Sequence, residues 1–366
     1  MTKRKIVIIQ RKFVEMFRIE LPIVQAPMAG SSDDELAIAV SEAGGLGSLP
    51  CAMLTPDQVG ASLRLIRERT ARPVNLNFFC YPSATPNADR ERRWRERLAG
   101  YYAEFGLDTS AAANLPNRLP FDQAMCEVVV DLQPEVVSFH FGLPPKPLLE
   151  AVRATGTRII SSATTVEEAQ WLEAEGCDAV IAQGLEAGGH RGMFLATDPS
   201  SQIGTFALVP QVVDAVKIPV IAAGAIGDAR GIVAAFALGA SAVQMGTAYL
   251  RCPEARTSAV HRKALETVRD DQTVITNVIT GRPARGIVNR VIRDIGPINA
   301  LAPEFPRAHE ALAPLRAYAE KKGLGDYSPL WAGQAASMCR EIPAGALTKM
   351  LFEQAITLIE KLGMGL

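Results

Sequence analysis

Net charge, cysteine pairs, aromatic side chains and long apolar runs are all scarce in this chain of 366 residues, and each shortage excludes something. The 38 basic and 39 acidic side chains nearly cancel, giving a formal net charge of −1. Without a basic excess there is no electrostatic footprint for nucleic acid or for an anionic membrane surface. No apolar run reaches the ~18 residues that mark a membrane helix. The nearest, over residues 218–250, is broken by Asp228 and Arg230. The basic N-terminus carries only Ile6-Val7-Ile8-Ile9, too short for the core of a secretory signal. The six cysteines, Cys51, Cys80, Cys126, Cys177, Cys252 and Cys339, form no C-x-x-C pair and match no zinc spacing. They read as reduced thiols of a cytoplasmic protein without a bound metal.

Apolar residues, by contrast, make up 48% of the chain and charged ones only 21%, enough for a sizeable core. Short apolar runs alternate with helical patterns, the signature of βαβ units. Eight candidate strands follow: Ile23–Ala26, Gly45–Leu49, Val74–Phe78, Val136–Phe141, Arg158–Ser162, Ala179–Gln183, Pro219–Ala223 and Ala242–Met245. Eight parallel strands in series predict an α/β fold of the TIM (β/α)8 type. Several helix starts are legible. Ser32-Asp33-Asp34-Glu35 and Thr164-Thr165-Val166-Glu167 read as capping boxes, Thr55-Pro56 as an N-cap with proline behind it, and Asp228 as a further cap.

Two stretches break the rhythm. Residues 82–135 form a long excursion with Trp94, Tyr101 and Tyr102, suited to a lid over the active face. Residues 251–324 read as a smaller, mainly helical second domain. The barrel is expected over 17–250 and 325–366, with residues 1–15 as an extension ahead of it.

The C-terminal ends of barrel strands carry the chemistry. Here they hold Pro27 and Met28, Asn75 and Asn77, His140, Ser161 and Ser162, Gln183, Gly224 and Ala225, and Gln244, Met245, Gly246 and Thr247. None is a carboxylate, and Glu186 lies in a turn without an acidic partner, which disfavours metal-assisted chemistry and glycoside hydrolysis. No Ser-His-Asp or Cys-His arrangement suggests a nucleophile, and no glycine fingerprint of a dinucleotide fold follows the first strand. The strand Ala179–Gln183 instead empties into Gly184-Leu185-Glu186-Ala187-Gly188-Gly189-His190-Arg191-Gly192. Its glycines, Gly188 and Gly189 among them, let the backbone approach a ligand closely. His190 is the one side chain there able to trade a proton near neutral pH, and is the candidate catalytic residue. Gly224-Ala225 and Gly246-Thr247 are placed for a phosphate, with tight turn packing as the alternative. Gln183, Asn75 and the main chain at Met28 suit the edge of a flat heterocycle. His140 is either a substrate contact or a satisfied structural imidazole. Tyr101 and Tyr102 are either substrate contacts or lid packing. His261 and His309 are expected on a solvated face.

At these residues the chain resembles the nitronate monooxygenases, formerly called 2-nitropropane dioxygenases. The resemblance rests on Gln25-Ala26-Pro27-Met28-Ala29-Gly30, Ala43-Gly44-Gly45-Leu46-Gly47, Ser138-Phe139-His140-Phe141-Gly142, Glu186–Gly192, Ala223–Ile226 and Gln244–Thr247. It implies a TIM barrel that binds FMN and oxidises alkyl nitronates, and neutral nitroalkanes with them, by O2 to a carbonyl compound and nitrite. His190 then matches the catalytic base, and Asn75, Gln183, Gly188, Gly224 and Gln244–Thr247 match positions that hold FMN. A homodimer is compatible with it. An FMN-dependent enoyl-acyl-carrier-protein reductase shares the Gly-Gly-His turn and is the alternative enzyme. A flavin-binding protein without turnover and a flavin-free barrel lyase are alternatives of other classes.

Overall fold

The computed structural model describes residues 7–82, 86–109 and 119–363. Eight parallel strands make the barrel: β1 (Ile23–Gln25), β2 (Gly47–Pro50), β3 (Val74–Phe79), β4 (Val136–His140), β5 (Arg158–Ala163), β6 (Ala179–Gln183), β8 (Val220–Ala223) and β9 (Ala242–Met245). Their order is β1-β9-β8-β6-β5-β4-β3-β2, and a parallel bridge from Val24 to Leu46 joins the two ends. All eight expected strands are present, displaced by two residues or fewer at either end.

Two of the four predicted caps hold as read: Thr55 and Gln58 form a full capping box, and Asp228 accepts from the N–H groups of Arg230 and Gly231. The other two fall one residue later. Thr165, not Thr164, is the N-cap of its helix and accepts from the Glu168 N–H. The second is at Ser32. Asp33 is the N-cap there and caps through no side chain, while the Ser32 hydroxyl turns back to the Met28 carbonyl.

The barrel interior has a floor and a polar layer. Val24, Leu46, Val136, Ile160, Ala179, Ile221 and Ala242 fill its lower half. The helix Val7–Phe17 seals that end with Phe13, Phe17 and the following Ile19; the two rings lie 4.5 Å apart. Phe13 is fully buried, so the supposed extension contributes a barrel plug. Above this floor sit Gln25, Ser48, Asn75, Asn77 and Ser138, all buried and tied to one another. Asn75 donates to Ser48 and Ser138, and Asn77 to Ser138. Buried polar groups need such partners, and these bonds supply them to every member of the layer, although the Asn75 Oδ1 is left without one. The helix Ala344–Leu362 packs on Ala229–Ala237 and Asp34–Glu42, covering the seam between β9 and β1.

A second core lies beyond the barrel mouth. It is less purely helical than expected, because two lobe strands, β10 (Thr273–Thr276) and β11 (Ala284–Ile287), form an antiparallel hairpin. β7 (Gly189–His190) adds to that hairpin with His190 opposite Ala284. The helix Ala88–Phe105 of the excursion also joins this core, through Trp94, Leu98 and Tyr102 against Val278, Ile292, Leu312 and Leu315. The excursion's stretches 83–85 and 110–118 lie outside the described residues.

Candidate active site

A cavity of about 520 Å³ opens at the C-terminal ends of the barrel strands and runs under the lobe. The residues expected there from sequence line it together: Pro27, Met28, His140, Gln183, Gly188, Gly189, His190, Gly224, Ala225, Gln244, Met245, Gly246 and Thr247. The turn after β8 bends through two successive residues at positive φ, Gly224 at 126° and Ala225 at 55°. A side chain at Gly224 would also meet the Thr205 hydroxyl at 2.5 Å, so glycine there serves packing as well as the turn. A Cβ on Gly188 would stand 2.5 Å from the Gly333 nitrogen, where the tail of the chain crosses the histidine loop.

Three expectations are corrected. Asn75 lies one layer too deep to line the cavity; Asn77, two residues on and on the same strand face, lines it instead. Tyr101 and Tyr102 do not line it either. Tyr102 is buried and donates to the Ala311 carbonyl at 2.7 Å, while Tyr101 donates to Asp294 at 3.1 Å and packs edge-on against Tyr327. They fasten the excursion helix to the lobe. Finally, His261 is buried rather than solvated, and both His261 and His309 line the cavity's lobe side.

The histidine loop is held from several directions. The His190 carbonyl accepts from the Gln183 side chain at 3.0 Å and from His140 Nε2 at 3.2 Å. A carbonyl can only accept, so His140 carries its proton on Nε2, and its Nδ1 accepts from the Ser162 hydroxyl at 3.1 Å. Burial holds the His140 imidazole neutral, with its pKa pushed down to about 3; the nearby Arg282 guanidinium adds to that shift. His140 is therefore a satisfied structural imidazole that also faces the cavity. The Gln183 carbonyl oxygen of the side chain accepts from the Gly192 N–H at 2.7 Å, closing the loop behind His190. Arg191, fully buried, donates to the Gln183 main-chain carbonyl and to Gln202, and burial lowers its pKa to about 9.

The His190 ring itself sits among Phe305 at 5.2 Å, Trp331 at 5.4 Å, Phe141 at 5.9 Å and Phe79 at 6.2 Å. Its Nε2 lies 2.9 Å from the Thr280 hydroxyl. Glu186 is occupied elsewhere: its carboxylate caps the helix Thr205–Ala215 through the Thr205 N–H and hydroxyl. Among the described residues no cluster of histidine, cysteine or carboxylate side chains could hold a metal, and no helix is long and apolar enough to cross a membrane.

Fold and cavity thus define a (β/α)8-barrel enzyme with a histidine at the strand-end mouth. The particular family follows from comparison with known proteins. The family model described as nitronate monooxygenase matches residues 10–354, and the chain belongs to that family, one of flavoenzymes. The chain is similar to the nitronate monooxygenase of Pseudomonas aeruginosa, with 42% identity over 94% of this chain and 98% of that one. Among solved structures it resembles the nitroalkane oxidase from Streptomyces ansochromogenes, with 39% identity, a TM-score of 0.86, and coverage of 96% and 99%. FabK from Thermotoga maritima is more distant, at 28% identity and a TM-score of 0.72, covering 96% of this chain and 98% of its own.

Proposed function

We propose that the protein oxidises alkyl nitronates with O2 to a carbonyl compound and nitrite, using FMN, and accepts neutral nitroalkanes by removing their α-proton with His190. The observation that carries this is the placement of the His190 imidazole, on its glycine-flanked loop, at the wall of the strand-end cavity beside the glycines and amides of the barrel mouth. The residues present fit a flavin. The Gln244 side-chain oxygen is buried without a hydrogen-bond partner at a residue that lines the cavity, and a flavin ring N–H is the kind of donor it lacks. Gly224, Ala225, Gly246 and Thr247 would hold the phosphate, as the loops after the last two barrel strands do in this fold. Pro27, Met28, Asn77, Gln183 and Gln244 would border the ring, and Gly188 and Gly189 would let the histidine loop approach it.

When bound, the flavin supplies the one-electron chemistry between nitronate and oxygen that no side chain here provides. The chain's own part is positional and acid–base. His190 accepts the proton of a neutral nitroalkane. Gln183 and His140 hold its main chain, and the ring's aromatic neighbours keep water from it. All six cysteines are free and buried, which supports a reducing, cytoplasmic setting.

Anaerobic mixing tests the reading. The purified protein should be yellow, and the flavin band should bleach with an alkyl nitronate but not with NADH. Bleaching by NADH instead would favour the enoyl-reductase alternative, which the more distant FabK likeness leaves behind. A band that neither reductant bleaches would leave a flavin-binding protein without turnover, and a colourless protein a lyase. Gly246→Asp tests the phosphate position separately. The φ there is negative, and the nearest neighbours of a Cβ would be Ala26 at 3.2 Å, a tight contact, and Met28 at 3.5 Å, so the variant adds a charge with a modest steric change. That variant should purify folded and colourless; a fully yellow one would move the phosphate elsewhere.

A further inference from the structure

We infer that Thr280, on the turn between β10 and β11, is the positioning residue for His190: its hydroxyl takes the Nε2–H, and so leaves the basic lone pair of the neutral ring on Nδ1. The inference rests on His190 being the base proposed above. The Thr280 hydroxyl is 2.9 Å from His190 Nε2 and 3.5 Å from the Arg282 carbonyl. That carbonyl can only accept, and a hydroxyl proton turned to it leaves the hydroxyl oxygen to accept from the imidazole, the arrangement we infer. A ring nitrogen that donates in this way fixes which nitrogen of the neutral imidazole stays basic.

The turn is built to hold the hydroxyl still. Thr280 is buried and lines the cavity. The next residue, Gly281, has φ of 92°, and a Cβ there would lie 2.0 Å from the Pro303 carbonyl oxygen, so no other residue could take its place without shifting the turn. Its N–H donates to the Asn277 carbonyl at 2.8 Å, and Asn277 exchanges two further hydrogen bonds with Asn299, at 3.0 and 2.9 Å. The residue after His190 is anchored to the same turn, Arg191 N–H donating to the Pro283 carbonyl at 2.9 Å. Histidine and hydroxyl therefore belong to one small sheet, with the His190 main chain paired to Ala284. A hydroxyl partner is neutral. Unlike a carboxylate it does little to favour the imidazolium, which suits a group that must begin a cycle unprotonated.

The test compares Thr280→Val, which keeps the shape and removes the hydroxyl, with Thr280→Ser, which keeps the hydroxyl. With a neutral nitroalkane, Thr280→Val should lose roughly 10- to 100-fold in kcat/KM, since misorientation of a base costs on that order. Its pH profile should shift, Thr280→Ser should stay close to wild type, and oxidation of a preformed nitronate should be little changed in both. Wild-type turnover of nitroalkane by Thr280→Val would overturn the inference, as would an equal loss on nitroalkane and nitronate. 15N NMR of the histidine ring in the holoenzyme gives a readout that does not depend on turnover. His190 should be the Nε2–H tautomer in the wild type and lose that preference in Thr280→Val. An unchanged tautomer would overturn the positioning role. If instead His190→Asn leaves nitroalkane turnover intact while the tautomer still responds to Thr280, the base assignment fails and the positioning survives. Should valine prevent folding, Thr280→Ala carries the same comparison.

Discussion

The two walls of the cavity are made in different ways. The barrel wall consists of residues at consecutive strand ends, each delivered by its own βα unit. The lobe wall is assembled from residues far apart in sequence, Ile279, Thr280, His309, Leu312 and Trp331 among them. His190 bridges the two. It leaves the barrel from β6, yet its main chain pairs with lobe strand β11 and its ring rests on a hydroxyl ninety positions away. The side proposed to hold the cofactor is thus specified locally, and the side that aims the proposed base is specified at long range. A local specification tolerates changes in the lobe; a long-range one does not.

The largest effect expected from breaking this division is at the bridge. His190→Asn should slow turnover of neutral nitroalkanes by about 10²–10⁴-fold, the usual worth of a general base. Preformed nitronates, whose proton is already gone, should lose far less, and steady-state assays on both substrates read the difference. Equal losses would make His190 a positioning residue and return both walls to a purely structural role.

Next comes the barrel end remote from the mouth. Phe13→Ala removes a fully buried ring from the plug and should cost about 3–5 kcal/mol by denaturant unfolding. The variant should still purify yellow, because the proposed flavin site is at the opposite end. A cost below about 1 kcal/mol would mean that the plug is dispensable.

Tyr102→Phe sharpens the lobe side. It leaves the Ala311 carbonyl without its donor, which should cost about 1–2 kcal/mol. KM for small and bulky nitronates should stay at the wild-type value. A large KM change would restore the excursion as a lid.

The smallest effect is with pH. Burial lowers the pKa of His140 to about 3 and of His261 to about 4, whereas an unfolded histidine titrates near ~6.5. Between those values the unfolded chain binds more protons than the folded one, so stability rises with pH and is lost on acidification. From pH ~6.5 to ~5.5 each histidine should remove about 1 kcal/mol. Melting temperatures across that window should fall for the wild type and fall less for His261→Gln. An identical slope in the variant would show that His261 does not titrate differently on unfolding.

Much of the fold is legible in the sequence. The strands announced themselves because a barrel strand buried on both faces must be a short apolar run. The strand ends announced the cavity because glycine, amides and one histidine are poor material for a core. What misled was distance along the chain. Asn75 and Asn77 share a strand face and a chemistry, and only their depth in the barrel separates them. Tyr101 and Tyr102 sit in a long excursion that sequence reads as a lid, but their partners, Asp294 and Ala311, lie about two hundred positions later. His261 looked solvated because a helix pattern alone does not reveal which neighbour covers it.

By itself, then, the sequence determined the barrel, the position of its mouth and the histidine turn, since periodicity, glycine conformational freedom and side-chain chemistry act over a few residues. Tertiary structure alone decided that the chain's first helix plugs the barrel floor, that the excursion helix belongs to the lobe core, and that Thr280 meets His190. Those contacts join segments whose encounter depends on the summed packing of everything between them, and no local pattern encodes that sum.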